Sequence, residues 1–359
     1  LLDEAVPKIQ KPAARIGIGA AQQQFHNVSM RLTELRGGAV GFTTAGLLLP
    51  VHGQAIGGGQ VAALLGAVTG GGASADEGLL GGPWGFFLNG NVARGDRDRT
   101  QREDGFDFDL YNITAGVDYR LSEALILGAA LGYGNTNADF DGSPNRTDVE
   151  GWSALLYGTY MPTQELYVDA MISGSWDQYD VRRRDPFSGL TAKGDTDGSA
   201  FSASLGAGYD LSRDQWTFGP YGRLSYVSVD VDGYQESPVA GNEYRFEDQD
   251  AESLTLALGG RASYAISTGY GVVVPQAWVD WTHEFSNDAD ILTARLVNDP
   301  TQTRIGLATD EPDRDFVHAG LGVSAQFAEG RSAYLLYEHL FAHSYLSSGT
   351  LQAGVRLEF

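Results

Sequence analysis

The residue types that could carry chemistry in this sequence are histidine, serine and the acidic side chains. The six histidines are His26, His52, His283, His318, His339 and His343. His339 and His343 share one face of a strand or helix, whereas the neighbours His283 and Glu284 point to opposite faces of a strand. No serine nucleophile motif and no set of metal ligands accompanies them. The sequence therefore predicts no hydrolase site, no metal and no cofactor.

Three acidic segments raise the question of calcium binding, namely residues 134–142, 243–250 and 299–315. A calcium loop of the EF-hand type needs twelve residues with ligands at fixed positions, and these segments lack that pattern. We therefore predict solvated acidic loops on one rim of a folded unit. Weak binding of divalent cations is the alternative.

The composition indicates many strands and tight turns. Glycine occurs 48 times, tyrosine 17 times and phenylalanine 16 times, while cysteine is absent, which excludes disulfides and thiolate metal sites. The formal charge of −22 and the pI of 4.5 argue against a nucleic-acid partner. The mean hydropathy of −0.20 suits a membrane barrel, because apolar-out and polar-in residues average to near neutral.

The first 36 residues predict a helix, best defined over residues 20–36. Apolar residues recur there at spacings of three and four, and a glycine pair follows at Gly37 and Gly38, where a helix C-cap is expected. The apolar face is narrow, so this helix suits either an ordinary surface or a polar, confined environment. The apolar positions are Ala21, Phe25, Val28, Leu32 and Leu35.

Residues 37–82 predict a Gly/Ala-rich linker or an embellishment at a barrel mouth. No apolar block of transmembrane length survives, because Pro50, His52 and the glycines at 57–59 interrupt it. No secretory signal is visible at Leu1, so we expect the chain to be a piece of a longer product.

From residue 83 onward the pattern changes to period two, with one apolar face and one small or polar face. We predict twelve strands, hence an all-β transmembrane fold: a 12-stranded antiparallel outer-membrane barrel spanning residues 83–359. The predicted strands are 83–94, 106–120, 124–139, 147–161, 165–181, 198–211, 215–232, 250–266, 271–285, 314–327, 331–343 and 349–359.

The connections favour a membrane barrel over a soluble sandwich. Every second connection is short, whereas those between them are mostly longer and acidic, which is the outer-membrane pattern. The predicted short turns are 121–123, 162–164, 212–214, 267–270 and 328–330, and the predicted long loops are 95–105, 182–197, 233–249 and 286–313. Aromatic residues flank the short turns, as at a bilayer interface. They are Tyr119, Tyr160, Tyr167, Tyr209, Trp216, Tyr264, Tyr270, Phe327 and Tyr334.

Strand phase also predicts which charged side chains point into the lumen. We expect them to pair with each other or with the helix, since an unpaired buried charge is costly. The predicted lumenal charges are Asp118, Asp169, Arg223, Arg261, Asp280, Glu284, Glu338, Arg356 and Glu358.

The chain ends LQAGVRLEF, which places Val355, Leu357 and Phe359 on one apolar face. This ending resembles the signal by which the barrel-assembly machinery recognises outer-membrane proteins. Together with the twelve strands and a helix ending RLTELR (residues 31–36), the whole chain resembles the C-terminal translocator domain of autotransporters, the type V secretion family. The linker at 37–82 is longer than is usual there.

The resemblance implies a bacterial outer-membrane location with loops at the cell surface, and a helix that threads the lumen towards an exported N-terminal passenger. Arg31, Glu34 and Arg36 would then meet lumenal charges, with Asp280 and Glu338 for the arginines and Arg261 or Arg223 for Glu34. Lipopolysaccharide and outer-membrane lipid are the expected surroundings.

Some members of that family cut the helix inside the lumen by asparagine cyclisation. Asn27 is the matching candidate here, but His26 stands where the best-known cleaving members have a second asparagine. We therefore expect the passenger to stay tethered. The alternatives to a translocator are an outer-membrane channel or porin-like barrel, a surface adhesin and a barrel hydrolase.

Overall fold

The helix of the described part of the chain, α1, spans Ala13–Arg36, within the predicted helical region 1–36, and begins seven residues before the best-defined stretch at residue 20. Gly17 and Gly19 weaken the helical pattern in this first part, because glycine costs about 1 kcal/mol relative to alanine in a helix. Gly17 is required there, since a Cβ atom at this position would lie 2.6 Å from the Tyr179 hydroxyl. The computed structural model describes residues 13–36, 42–43, 48–51, 54–57, 84–269, 271–286, 289–311, 313–327 and 331–357.

Twelve long strands follow, in agreement with the predicted number. They are β1 (Trp84–Arg97), β2 (Phe106–Arg120), β3 (Leu125–Phe140), β4 (Arg146–Tyr160), β5 (Leu166–Arg184), β6 (Thr191–Tyr209), β7 (Trp216–Val231), β8 (Gln249–Tyr264), β9 (Gly271–Glu284), β10 (Asp315–Phe327), β11 (Arg331–Phe341) and β12 (Leu346–Leu357).

Each long strand pairs antiparallel with its sequence neighbours, and β12 closes the sheet onto β1. The closing ladder joins Leu346 to Arg97 and Leu351 to Val92. Closure gives the backbone groups of both end strands a partner, which a sheet surrounded by lipid requires. The predicted closed, twelve-stranded antiparallel barrel is therefore confirmed.

The two rims of the barrel differ in their connections. The turn rim carries the hairpin turns after β2, β4, β6 and β8, and the loop rim carries the connections after the odd-numbered strands. The prediction of a long loop over residues 182–197 was wrong. The β5–β6 ladder continues to the pair Arg184 and Thr191, and only residues 185–190 remain as a turn.

The outer face of the barrel is apolar and the inner face is mostly small or polar. Trp152 and Trp176 lie opposite each other and are 63% and 65% exposed, as expected at the edge of a lipid-facing band. Among the predicted interfacial aromatics, Tyr160 and Trp216 also face outward. Tyr167 was assigned wrongly, because it is buried on the lumenal face beneath the Arg261 guanidinium.

The β7–β8 and β9–β10 connections build a small separate sheet, here called the roof. Its strands are Tyr234–Gln235, Tyr244–Phe246, Ile291–Leu296 and Ile305–Ala308, paired in that order. The roof has an apolar core formed by Val181, Tyr234, Tyr244, Phe246, Leu292, Ala294 and Leu307. Because Val181 belongs to β5, the roof is anchored on the wall of the barrel.

Within residues 37–82 the structure describes only three short strands. Phe42–Thr43 pairs in parallel with β1, and Leu48–Val51 pairs with Gln54–Gly57. The remainder of the predicted linker lies outside the described residues. Of the helices in the described part, none has the length and apolarity needed to cross a membrane.

Candidate functional site: the lumen and its helix

The helix α1 lies inside the barrel, packed against inward-facing residues of the strands. Its C-terminal half contributes Phe25, Val28 and Leu32, which are all buried. The wall residues around them come from β1, β3, β4 and β5, and they are Phe87, Ile126, Ala130, Leu155, Tyr157 and Met171. These contacts use one side of the helix, which is the narrow apolar face that the sequence pattern predicts.

Next to this apolar contact, Arg31 forms a buried ion pair with Asp118 of β2. The Arg31 Nη2 and Nε atoms lie 2.8 and 2.9 Å from Asp118 Oδ2, and the Arg31 side chain is fully buried. Its guanidinium also stacks over the Phe87 ring, 5.5 Å from the centroid. Gly85 is required beside the pair, because a Cβ atom there would collide with the Asp118 carboxylate.

The N-terminal half of α1 lies near the loop rim. Ala14, Ile16 and Ala21 pack against a second apolar cluster that includes Tyr179 and Val229. The wall residues of this cluster come from β2 to β8, whereas the cluster around the C-terminal half lies on β1 and β3 to β5. The helix is therefore supported along its length by two different parts of the wall.

At the loop rim, the first turn of α1 contacts the end of the roof. The Arg15 Nη2 atom donates to the Asp310 carbonyl oxygen at 2.5 Å and to Thr309 Oγ1 at 3.3 Å. Arg97 of β1 lies 2.9 Å from both Glu103 Oε2 and Asp310 Oδ2. The Asp310 N–H donates to Glu103 Oε1 at 2.7 Å, which links the β1–β2 loop to the roof.

Four of the charges predicted from strand phase line the lumen in a different place from Arg31. Arg223, Arg261, Asp280 and Glu338 line a cavity of about 840 Å³ beside the helix. This cavity is bounded mainly by α1 and β7–β12, whereas the C-terminal half of α1 packs on β1 and β3–β5.

Within the cavity these side chains are held largely by the wall itself. Asp280 accepts a hydrogen bond from the Tyr221 hydroxyl at 2.8 Å and lies 3.3 Å from His318 Nδ1. Glu338 accepts a hydrogen bond from Trp278 Nε1 at 2.8 Å. Arg261 binds both carboxylate oxygens of Asp210 at 2.6 Å.

The prediction that Arg31 pairs with Asp280 or Glu338 was therefore wrong, and its partner is Asp118. Strand phase predicts which side chains face the lumen. It does not predict which part of the wall the helix packs against, because that depends on the helix rotation and on apolar contacts such as Leu32. Asp118 was among the predicted lumenal charges but was not assigned to the helix.

Several predicted residues cannot be placed. The backbone of α1 includes Asn27, Glu34 and Arg36, but their side chains lie outside the described part of the structure. The same holds for the side chains of Val355, Arg356 and Leu357, and for residues 358 and 359. Their assigned roles remain predictions.

Sequence reasoning missed the two charged clusters of the loop rim. One is the Arg97, Glu103 and Asp310 cluster, and the other is a buried bidentate pair between Arg183 and Glu236 at 2.7 and 2.6 Å. Asp310 lies in the segment 299–315 that was predicted to be solvated, and Glu103 and Glu236 lie in the predicted long loops 95–105 and 233–249. Nothing in the spacing of these residues predicts that they are buried. Among the described residues, no group of three or more histidine or acidic side chains is arranged to hold a metal ion.

Comparison with known proteins agrees with this geometry. A family model described as the autotransporter beta-domain matches residues 86–338. The esterase EstA of Pseudomonas aeruginosa is 27% identical over 69% of this chain, but over only 38% of its own length. The chain thus spans well under half the length of the curated relatives that it matches.

Two solved structures share the fold. The translocator domain of NalP from Neisseria meningitidis is 14% identical, with 84% of this chain and 95% of that one covered and a TM-score of 0.60. The beta domain of the Bordetella autotransporter BrkA is 19% identical, with 77% and 99% covered and a TM-score of 0.57. With a family model matched over most of its length, the chain belongs to the autotransporter beta-domain family and is a translocator barrel of the bacterial outer membrane.

Proposed function

We propose that this barrel carries an N-terminal passenger outward through its lumen and then keeps α1 in place as a tether and plug. The observation that carries the proposal is the seating of the helix, with Arg31 fully buried against Asp118 and Arg15 at the opposite rim. Since α1 runs from the loop rim to the turn rim, its N-terminal end leads outward if the loops face the cell surface. The turn rim then faces the periplasm.

An epitope placed before Leu1 in whole cells tests the proposed orientation. We expect antibody to label it on intact cells, as strongly as a second epitope in the loop at 185–190. A matched epitope in the short turn at 162–164 should become accessible only after permeabilisation. Labelling of the turn epitope, but not of the N-terminal one, on intact cells would show the opposite orientation and refute the proposal.

We also propose that the passenger remains attached. The sequence carries a single asparagine, Asn27, after His26 at the place where cleaving relatives have a pair. Wild-type chains should therefore migrate at the full-length mass after surface display. A lower mass that returns to full length in Asn27→Ala would show cleavage instead.

For assembly, we propose that Val355, Leu357 and Phe359 form the signal read by the barrel-assembly machinery. Lipid and lipopolysaccharide then surround the exposed tryptophans of β4 and β5. Deleting Phe359 should lower the amount of inserted barrel in cells far more than it lowers the stability of barrel refolded in detergent. Normal surface levels of that deletion variant would contradict this role.

A barrel hydrolase is the weaker alternative, although one relative is named an esterase. In a catalytic triad the histidine stands between the nucleophile and the acid. Here Asp313 lies between the other two, 3.1 Å from Ser344 Oγ and 3.4 Å from His343 Nδ1. We therefore assign any hydrolase activity of the full-length protein to a part outside this chain.

A further inference from the structure

We propose that Arg15 and Arg31 act together as a two-point lock that fixes the height of α1 in the lumen. The inference rests on the proposed function, in which this segment enters the lumen during export and stays there. Each arginine occupies an acceptor site at a different end of the barrel. Export would end in a defined register because both sites can be filled at the same time in only one position of the helix.

The spacing of the two arginines supports this. They are 16 residues apart, so their Cα atoms are about 24 Å apart along an α-helix rising 1.5 Å per residue. Between them, residues 16–30 contain no Asp, Glu, Lys or Arg. A shift of one turn, about 5.4 Å, would withdraw both guanidinium groups from their acceptors. Lys11, four residues before Arg15, could then approach only the outer site, whereas the inner site would receive Asn27 or Leu35 and no cation.

The outer site is held together by contacts that do not involve Arg15. Glu103 and Thr309 are almost fully buried. Asp310 is fixed by Arg97, by the Thr100 hydroxyl at 2.6 Å and by its own N–H bond to Glu103. The Thr309 hydroxyl also accepts from the Asp290 N–H at 2.8 Å. A carbonyl and a hydroxyl beside buried carboxylates form a preorganised guanidinium site.

The inner site also binds an arginine guanidinium of α1, but the residues around it are different. Asp118 accepts from Arg31 in an apolar surrounding, where a misplaced or unpaired charge is strongly disfavoured. The outer site is polar, whereas the surroundings of the inner site are apolar. The two sites can therefore be weakened independently by Arg15→Gln and by Asp118→Asn, which is nearly isosteric.

The test uses the complete chain, whose lack of cysteine allows two labelling sites to be added freely. Spin labels at Gln22→Cys in the helix and Thr163→Cys in a turn report the height of α1 as a distance. The chain that carries both labels and no other change should give one narrow distribution of label-to-label distances. Each single variant should keep it, since the other site still holds the helix, whereas Arg15→Gln with Asp118→Asn should broaden it by about one turn, ~5 Å.

Arg304→Gln is the matched control, because it removes an exposed guanidinium from the same loop of the roof. Heat-modifiable migration verifies that each barrel is folded. A narrow, unshifted distance in the double variant would show that apolar packing alone sets the register. If one single variant broadened the distance distribution as much as the double variant does, that site alone would set the register of α1. Surface labelling of the N-terminal epitope separates either result from a failure of the proposed export function.

Discussion

The two ends of the lumen hold the same helix by different means. At the turn rim, Arg31 is buried in an apolar shell and pairs with the Asp118 carboxylate. At the loop rim, Arg15 contacts a network in which Arg97, Glu103 and Asp310 also bind one another. The stability of the inner end therefore depends on one buried ion pair, whereas the outer end can lose one contact and keep the rest.

The largest effect is expected from breaking the inner pair on one side only. Arg31→Met leaves Asp118 buried without its guanidinium, and removing one partner of a buried pair costs about 3–5 kcal/mol. Urea unfolding of the refolded barrel measures this loss. The double variant Arg31→Met with Asp118→Leu should recover most of it, because an apolar pair avoids the desolvation cost. A double variant as unstable as the single one would contradict this reading.

A smaller and local effect is expected where the roof contacts β5 of the barrel wall. Arg183→Gln removes a buried bidentate contact to Glu236, which also accepts the Tyr244 N–H at 2.9 Å. We expect the roof to open locally while the barrel stays folded, since the roof has its own core. Protease cleavage within 234–248 should rise about tenfold, with no change in heat-modifiable migration. Loss of the barrel itself would show that roof and wall are one cooperative unit.

Acid should loosen the roof through protonation of Glu243. The Val239 and Gly241 N–H groups and the Asn298 amide donate to Glu243 and hold the pKa of its carboxyl below the ordinary 4.5. This contribution is complete above the ordinary pKa and is lost as the pH falls through the lowered one. Amide exchange near residues 239–246 should therefore accelerate as the pH falls below 4.5, and Glu243→Gln should remove most of that pH dependence. If amide exchange in Glu243→Gln depended on pH as strongly as in the wild type, this role of Glu243 would be contradicted.

A second acidic group in the roof should respond at still lower pH. Hydrogen bonds from Thr301 and Thr303 lower the pKa of Asp299 to about 2. The turn at 299–303 should keep its structure until the pH approaches that value. Asp299→Asn provides the check by exchange of the Thr301 and Thr303 amides, which should be faster in the variant at neutral pH. Equal exchange in both chains would exclude this role.

The smallest effect is expected outside the lumen. Arg94 and Asp109 pair at 2.6 Å on the outer surface of β1 and β2, where both side chains are substantially exposed. Exposed pairs contribute about 0–1 kcal/mol, so Arg94→Gln should change the free energy of unfolding very little. A loss comparable with that of Arg31→Met would mean that burial does not explain the difference.

Much of the wall could be predicted from the sequence, because a barrel strand has a strict period of two. The faces of Arg223, Arg261, Asp280 and Glu338 follow from that period, and in the structure these residues line the cavity beside α1. The start of α1 could not be predicted, since Gly17 opposes a helix locally and is compensated by close packing on Tyr179.

The candidate site was predicted only in part. The position of Arg31 in the helix was clear, but its partner depends on how the helix is rotated against the wall. The roof could not be predicted, because its strands are two to six residues long and its buried charges sit in loops without periodicity. Glu103 and Asp310 have no sequence signal that separates them from solvated acids.

The central claim is that α1 occupies the lumen and restricts it, and single-channel conductance in planar bilayers tests this most directly. The full chain should conduct weakly, through the space of about 840 Å³ that remains beside the helix. Deleting residues 1–40 should raise the conductance several-fold, provided that heat-modifiable migration shows a folded barrel. A high conductance in the full chain that the deletion leaves unchanged would contradict the account and favour a simple channel.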